Sequence, residues 1–304
     1  MADIKLFRLN SSSVCELEGK AVALEKSLQD IFEKNLDELL GVQFLASELR
    51  TSNGGRMDTL GIDENRCPVI IEYKRSSNEN VINQGLFYLD WLMDHHADFK
   101  LLVIERYGEE LANEIEWSAP RLICIAGDFT RYDEHAINQM NRNIELIRYR
   151  RFDADLLLLE LLTVTSGNNA SSGTATVPQK GAQRGVYKTV SEYLASSDPA
   201  LKDRFEAVRV HLSTLGDDVQ EKTLKFYFAF RRIKNFACVE VRPQIGKILV
   251  YVKISPDTID LVDGFTRDVR KVGHFGTGDL EITIGSDEDL EKAKPLFDAS
   301  YQAS

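Results

Sequence analysis

A two-domain α/β protein is predicted by three features of the chain. Between residues 56 and 164, runs rich in β-branched and aliphatic residues alternate with segments of helical periodicity, the order of a mixed sheet covered by helices on both faces. Residues 165–186 are small and polar, with few large apolar groups, and read as a flexible linker spanning roughly 25 Å. The 304 residues, 43% hydrophobic, suffice for two ordinary cores. The division expected is 1–164, a linker at 165–186, and a smaller α+β domain at 187–304.

Along the first domain, Leu24 to Asn35 reads as an amphipathic helix with Leu24, Leu28, Ile31 and Phe32 on one side. Arg56 to Asp63 and Val69 to Arg75 read as strands, with Asp63-Glu64-Asn65-Arg66-Cys67-Pro68 as turn material between them. A helix follows with Val81, Gly85, Tyr88 and Leu92 as its buried stripe. Lys100 to Arg106 and Arg121 to Ala126 read as buried strands, and Gly108 to Trp117 and Tyr132 to Asn141 as helices. Ile144 to Arg151 and Leu156 to Val164 complete the sheet.

The hairpin carries the chemistry. If Asp63 faces Cys67 across a three-residue loop, paired residue numbers sum to 130, which sets Asp58 opposite Glu72 and Arg56 opposite Lys74. Side chains alternate along a strand, so Glu72 and Lys74 share a face, and directly opposed Cβ atoms lie about 4.5–5.5 Å apart. Two carboxylates that close repel unless a cation lies between them; hard oxygen donors without histidine or thiol partners suit Mg²⁺ or Mn²⁺. A lysine two residues on can hold an attacking water or neutralise charge developing on phosphorus. The competing reading is a surface hairpin with an ordinary Glu–Lys ion pair. Against it, Leu60, Ile62 and Val69-Ile70-Ile71 imply a buried sheet, where unpaired charge is costly.

Gly54-Gly55-Arg56-Met57-Asp58-Thr59-Leu60-Gly61-Ile62-Asp63, then Ile70-Ile71-Glu72-Tyr73-Lys74-Arg75, then Gln84 to Leu92, together resemble the PD-(D/E)XK nuclease superfamily, and within it the archaeal-type endonucleases that cut branched or mismatched DNA. The likeness runs from about Glu25 to Trp91, roughly a fifth of the chain. It implies a restriction-endonuclease-like α-β-β-β-α-β core, with Asp58 and Glu72 as metal ligands and Lys74 as the catalytic lysine. It implies further that Glu25 is the acidic residue held near the metal, and that Gln84 and Tyr88 are the helical Gln and Tyr, four residues apart on one helix face. Met57 stands where the motif has proline. Tyr88 is also a candidate core tyrosine, and Gln84 is the stronger functional candidate.

What the resemblance implies for activity is a Mg²⁺-dependent endonuclease with DNA as partner. The alternatives are a non-catalytic nucleic-acid or protein-interaction module on the same fold, and an RNA-directed nuclease. The formal charge is -11; residues 1–165 hold 18 basic against 29 acidic side chains and residues 180–304 hold 19 of each, so the acidic excess lies in the proposed catalytic domain. Phosphate contacts then need a local groove, for which Arg56, Lys74, Arg75, Arg142, Arg148, Arg150 and Arg151 are candidates, Arg142 to Arg151 reading equally as a solvated strand edge. Cys15, Cys67, Cys124 and Cys238 are far apart, without zinc or disulfide spacing. No apolar run reaches membrane-span length, and the start of the chain lacks signal or transit character, so a cytoplasmic enzyme is expected. A homodimer and a protein partner for the second domain stay open.

In the second domain, Tyr187 to Gly216 reads as helical with a start at Ser191 and a second at Asp198-Pro199. Lys225 to Ile233, Phe236 to Val241 and Lys247 to Ile254 read as strands, with Pro243 to Gly246 as a turn. A short helical region, a strand at Leu280 to Ile284 and a terminal helix from Asp287 to Tyr301, capped by Ser286 with Asp289, complete it. Lys225-Phe226-Tyr227, Phe236 and Gly273-His274-Phe275-Gly276 resemble an uncharacterised domain family that follows such nucleases. The aromatic and basic run Lys222 to Phe236 suits a base-stacking platform, a docking surface or simple core.

Overall fold

In the turn Glu64–Arg66, Arg66 takes a left-handed backbone (φ 64°) and Asp63 Oδ1 accepts from the N–H groups of Asn65 and Cys67, each at 2.9 Å. A short acidic side chain that bonds the backbone two residues on is what closes such a turn. The strands on either side therefore pair in one register. In the computed structural model, which describes residues 4–10, 13–20, 26–74, 81–153, 155–165 and 188–304, the chain divides into two compact units, 1–170 and 171–304.

Unit 1 begins with β1 (Leu6–Asn10) and β2 (Ser13–Leu17), an antiparallel hairpin, and β3 (Gly19–Lys20). It continues with α1 (Lys26–Lys34), α2 (Leu36–Leu40), β4 (Val42–Arg50), β5 (Arg56–Asp63), β6 (Pro68–Lys74), α3 (Val81–Asp94), α4 (His96–Tyr107), α5 (Glu109–Asn113), β7 (Arg121–Ala126), α6 (Arg131–Ile137), β8 (Asn143–Phe152) and β9 (Leu156–Val164). The seven-stranded sheet runs β3-β8-β7-β6-β5-β4, with β9 also on β8. Strands β4, β5 and β6 are antiparallel, β6, β7 and β8 parallel, and β9 antiparallel to β8. This is the mixed sheet with flanking helices that the alternation predicts.

One sheet face, with Leu60, Ile70, Leu122, Cys124, Ile144 and Leu146, packs against α3 and α4 through Val81, Leu89, Leu92, Phe99 and Val103. On the other face Phe32 of α1 meets Tyr73 edge-on at 5.9 Å. Two expectations need correction. Lys100 to Arg106 lies in α4 rather than a strand: Phe99 and Val103, four residues apart, are both buried, and His96 stacks on Trp117 at 3.6 Å. The apolar run Leu101 to Ile104 mimics a strand only when its flanks are ignored. Gly108 to Trp117 contains the single short helix α5.

At the far end of the hairpin a buried ionic cluster ties the turn to the parallel strands. Arg121 of β7 donates from Nε and Nη2 to Glu145 (2.8 Å each) and from Nη1 to Asp63 (2.9 Å). All three side chains are at most 5% exposed. Burial alone pulls the Arg121 pKa down, but Glu145 and Asp63 more than reverse it, so the guanidinium stays charged.

Unit 2 consists of α7 (Val190–Ala195), α8 (Pro199–Ser213), β10 (Gln220–Thr223), β11 (Phe228–Arg231), β12 (Asn235–Arg242), β13 (Lys247–Val252), β14 (Thr266–Asp268), β15 (Leu280–Ile284) and α9 (Asp287–Gln302). Its six-stranded sheet runs β10-β11-β12-β13-β15-β14. Helix α7 is capped by Thr189 in a capping box with Glu192, not by Ser191; α8 is capped by Asp198, and α9 by Ser286, whose hydroxyl accepts from Asp289 N. In place of the expected short helical region stand a 3-10 turn at Pro256–Thr258 and β14. Phe228, Phe230 and Phe236 are buried in the core beneath the helices, so most of the aromatic run is core. Phe226 alone stacks outward with Phe275, ring centroids 4.5 Å apart, beneath Lys225. No helix among the described residues is long and apolar enough to cross a membrane.

Candidate metal centre

The pairing of β5 with β6 (Thr59↔Ile71, Leu60↔Ile70, Gly61↔Val69, Ile62↔Pro68) has the expected sum of 130, and Asp63 N bonds Cys67 O at 2.9 Å. Regular pairing ends at Thr59 and Ile71. One step further the side chains take over from the backbone: Asp58 N donates to Glu72 Oε1 at 3.0 Å, and Tyr73 N donates to Asp58 Oδ2 at 3.1 Å. Each carboxylate thus caps an amide of the opposite strand, which draws Asp58 and Glu72 together where the ladder opens. Glu72 is buried and Asp58 half-buried. Charge-assisted bonds of this kind hold a carboxylate in place without neutralising it.

A third carboxylate reaches this region from α1. Glu33 Oε1 accepts from Thr59 Oγ1 (2.7 Å), Ser47 Oγ (2.8 Å) and Gln29 Nε2 (3.1 Å). Burial raises the Tyr73 phenol well above its ordinary pKa; the Thr59 hydroxyl offsets part of that rise, and the charges of Glu33, Asp58 and Glu72 add to it. Three carboxylates whose field converges on one buried phenol make an environment that a cation would relieve, and their hard oxygens match Mg²⁺ or Mn²⁺. Among the described residues no three His, Cys, Asp or Glu side chains form a complete metal-holding group. Asp58 and Glu72 are the described residues that could hold the ion. Glu25, the further ligand implied by resemblance, lies outside the described residues, as does Arg75.

The other site residues divide. Lys74 ends β6 two residues after Glu72 and pairs with Ala126 of β7; its side chain is outside the described set. Gln84 is exposed on the first turn of α3. Tyr88 is 5% exposed, its hydroxyl accepts from Arg56 N at 3.3 Å, and a Cβ on Gly55 would stand 2.4 Å from its ring. It therefore supports the β4–β5 turn, as a core tyrosine would. Arg56 is exposed, but its Nε pairs with Glu48 at 2.7 Å. Of the expected basic groove, Arg148 is 1% exposed and bound to Glu160 by Nε (2.9 Å) and Nη2 (2.5 Å), which removes it from any phosphate surface. His95 and His96 stack on Trp91 and Trp117.

Sequence reasoning missed Glu33 and Glu48. Glu33 follows Phe32, the residue that packs on Tyr73, so a helix docked through Phe32 brings it to β5. Glu48 lies between Ser47 and Leu49, which pair with Thr59 and Met57, so its register position is opposite Asp58. Its backbone is left-handed (φ 54°), a conformation that costs energy without glycine and that no sequence pattern announced.

An uncharacterised protein of Haemophilus influenzae is 30% identical to this chain over 301 residues, covering 97% of the chain and 98% of the relative. The chain belongs to the family of that protein. Within this family the second unit carries a recognisable module: residues 190–304 match Domain of unknown function (DUF5655). That match agrees with the likeness of the C-terminal half to an uncharacterised domain family. No solved structure matches the chain.

Proposed function

We propose that unit 1 is a metal-dependent endonuclease that hydrolyses DNA phosphodiester bonds, with unit 2 as an accessory domain. The observation that carries this reading is the reciprocal capping of Asp58 and Glu72 across the opened end of β5 and β6. Each carboxylate accepts from a backbone amide of the opposite strand, so the two are fixed side by side at the open end of the hairpin. Asp58 and Glu72 would hold Mg²⁺ or Mn²⁺, with Glu25 as a further ligand. A hard divalent ion at this position supplies a water of lowered pKa and charge neutralisation at phosphorus.

The chain's own groups do the rest. Lys74, on the same strand face as Glu72, is assigned to hold the attacking water and stabilise charge on the pentacovalent phosphorus. Gln84 presents an amide from the first turn of α3 toward substrate. Arg56 and Arg75 contact phosphates, Arg56 by exchanging its Glu48 partner for the substrate. Glu33 and Glu48 position rather than react, Glu33 by fixing α1 on Thr59 and Glu48 by fixing Arg56.

The test is incubation of the full chain with supercoiled, linear, single-stranded and branched DNA, in Mg²⁺, Mn²⁺ or EDTA, beside Asp58→Ala and Lys74→Ala. Cutting that needs metal and disappears in both variants supports the site. Cutting that survives in both sinks it, and no cutting of any DNA by the wild type favours a binding module or an RNA substrate.

A further inference from the structure

Strands β6 and β7 run parallel in the register Ile70↔Leu122, Glu72↔Cys124 and Lys74↔Ala126, so the end of the sheet that carries Lys74 is the carboxyl end of both strands. Ile70, Leu122, Cys124 and Ala126 share one core with Val81 and Leu89 of α3, with Phe129, and with Ile137 of α6. Both helices therefore cover the face to which positions 72 and 74 belong. Each begins beyond the carboxyl end of the strand before it, α3 after β6 and α6 after β7 and residues 127–130. In open α/β sheets ligands bind in the crevice outside the carboxyl ends of the strands. The first turn of α3 brings Gln84 to that end, and the first turn of α6 is its counterpart.

That turn carries Arg131 and Tyr132, both exposed, Tyr132 to 69%. The Arg131 guanidinium stands 5.0 Å from the centre of the Tyr132 ring and donates from Nη2 to its hydroxyl at 3.0 Å. Among the described residues Arg131 has no carboxylate partner, whereas Arg56, Arg66, Arg121 and Arg148 of the same unit are paired. The acid of the preceding loop, Asp128, accepts from Arg148 at 3.4 Å. Helix α6 is started by its own capping box, Thr130 with Asp133, so neither Arg131 nor Tyr132 is needed to form it. A guanidinium and a phenol side by side in water present a phosphate-binding fork and a flat π-face, the two surfaces by which a nucleotide is held. A single exposed tyrosine is ordinary on a protein surface; its place at the carboxyl end of β7, with a cation beside it, gives this one a use.

Resting on the nuclease reading of Asp58, Glu72 and Lys74, we propose that Arg131 and Tyr132 hold the DNA strand that is cut, Arg131 through a phosphate flanking the scissile bond and Tyr132 by stacking on an unpaired base beside it. Bases inside a duplex are already stacked on both faces, so the ring gains only from a nucleotide outside one. The acidic balance of this unit fits such a contact. Local cations and an aromatic face at one end of the sheet replace the broad basic surface that the unit lacks.

The experiment is fluorescence anisotropy of a labelled single-stranded oligodeoxynucleotide, and of its duplex, with the full chain in Mg²⁺ across about 50–200 mM salt. A Lys74→Ala parent reads binding without cutting, and wild-type cleavage is followed in parallel. Tyr132→Ala is expected to weaken single-strand binding roughly 5- to 150-fold and duplex binding less, while Tyr132→Phe binds as the parent does. Arg131→Ala is expected to lower the slope of log Kd against log salt by about 0.7, one phosphate of a single strand, and Arg131→Lys to keep it. All four variants should retain the circular dichroism of the parent. Unchanged affinity in Tyr132→Ala with an unchanged slope in Arg131→Ala overturns the proposal, and the nuclease reading survives that failure where the wild type cuts. A loss shared equally by Tyr132→Phe, or equally by the duplex, overturns the stacking contact. Variants that weaken binding as expected beside a wild type that cuts no DNA uphold the contact and remove the hydrolysis, and a protein that neither binds nor cuts overturns both.

Discussion

Replacing Arg121 with methionine tests whether the buried cluster at the closed end of the hairpin holds the sheet that carries the site. Arg121 is the only cation of the trio, and its removal takes away the guanidinium that Asp63 and Glu145, 2% and 1% exposed, share. Breaking a buried pair by deleting one partner costs about 3–5 kcal/mol. That is roughly 150- to 5000-fold in the folding equilibrium, at about 1.4 kcal/mol per factor of ten. For a unit of 170 residues it corresponds to a fall in melting temperature of roughly 6–20 °C. Asp63→Asn should cost less, about 1–2 kcal/mol, because Oδ1 still accepts from Asn65 N and Cys67 N while Arg121 keeps Glu145. Denaturant unfolding followed by tryptophan fluorescence reports on this unit, since Trp91 and Trp117 both lie in it. An Arg121→Met protein within about 1 kcal/mol of wild type, or less damaged than Asp63→Asn, would refute the reasoning.

Four other substitutions probe separate parts of the account. Gly61→Ala puts a Cβ 2.4 Å from Val42 Cγ1 and 2.8 Å from the Gln43 carbonyl, beside the β4 bulge, and should cost about 1–3 kcal/mol in the same unfolding measurement. Tyr88→Phe removes the acceptor for Arg56 N and should cost about 0.5–1.5 kcal/mol with cleavage nearly unchanged, whereas Gln84→Ala should lower cleavage with stability unchanged; the reverse pattern would restore Tyr88 as a substrate contact. In unit 2, burial pushes the Glu240 carboxyl above its ordinary pKa, and Arg242, the Phe275 N–H and His274 recover only part of that rise. The folded state therefore holds this proton more tightly, so wild type should gain stability relative to Glu240→Gln as pH falls from the raised pKa to the ordinary carboxylate value. Thermal melts of both proteins across that window check the sign, and a difference that shrinks or stays flat as pH falls would contradict it.

The hairpin was legible because its determinants are local. Asp63 and the residues around it form a recognisable turn, the turn sets the register, and the register alone brings Asp58 to Glu72. Helix caps at Asp198 and Ser286 are local in the same sense. What escaped depends on tertiary partners. Leu101 to Ile104 looks like a strand until Phe99 and Val103 are seen on one buried helical face. Arg148 looks like part of a basic groove until Glu160, twelve residues away, folds beside it. The aromatics of β11 and β12 look like a platform until α8 and α9 cover them. Glu48 gives no signal at all, because its position opposite Asp58 depends on a left-handed backbone that the chain could adopt only in context.

The central claim is that Asp58 and Glu72 form a divalent-metal site, and Mn²⁺ titration by calorimetry tests it most directly. Asp58→Asn and Glu72→Gln suit the purpose, since the remaining amide oxygens can still accept from Tyr73 N and Asp58 N while the charge is gone. Wild type should bind Mn²⁺, each variant should lose at least ~100-fold in affinity, and both should melt within about 1 kcal/mol of wild type without metal. Equal binding by wild type and both variants, or no binding by the wild type, would contradict the account.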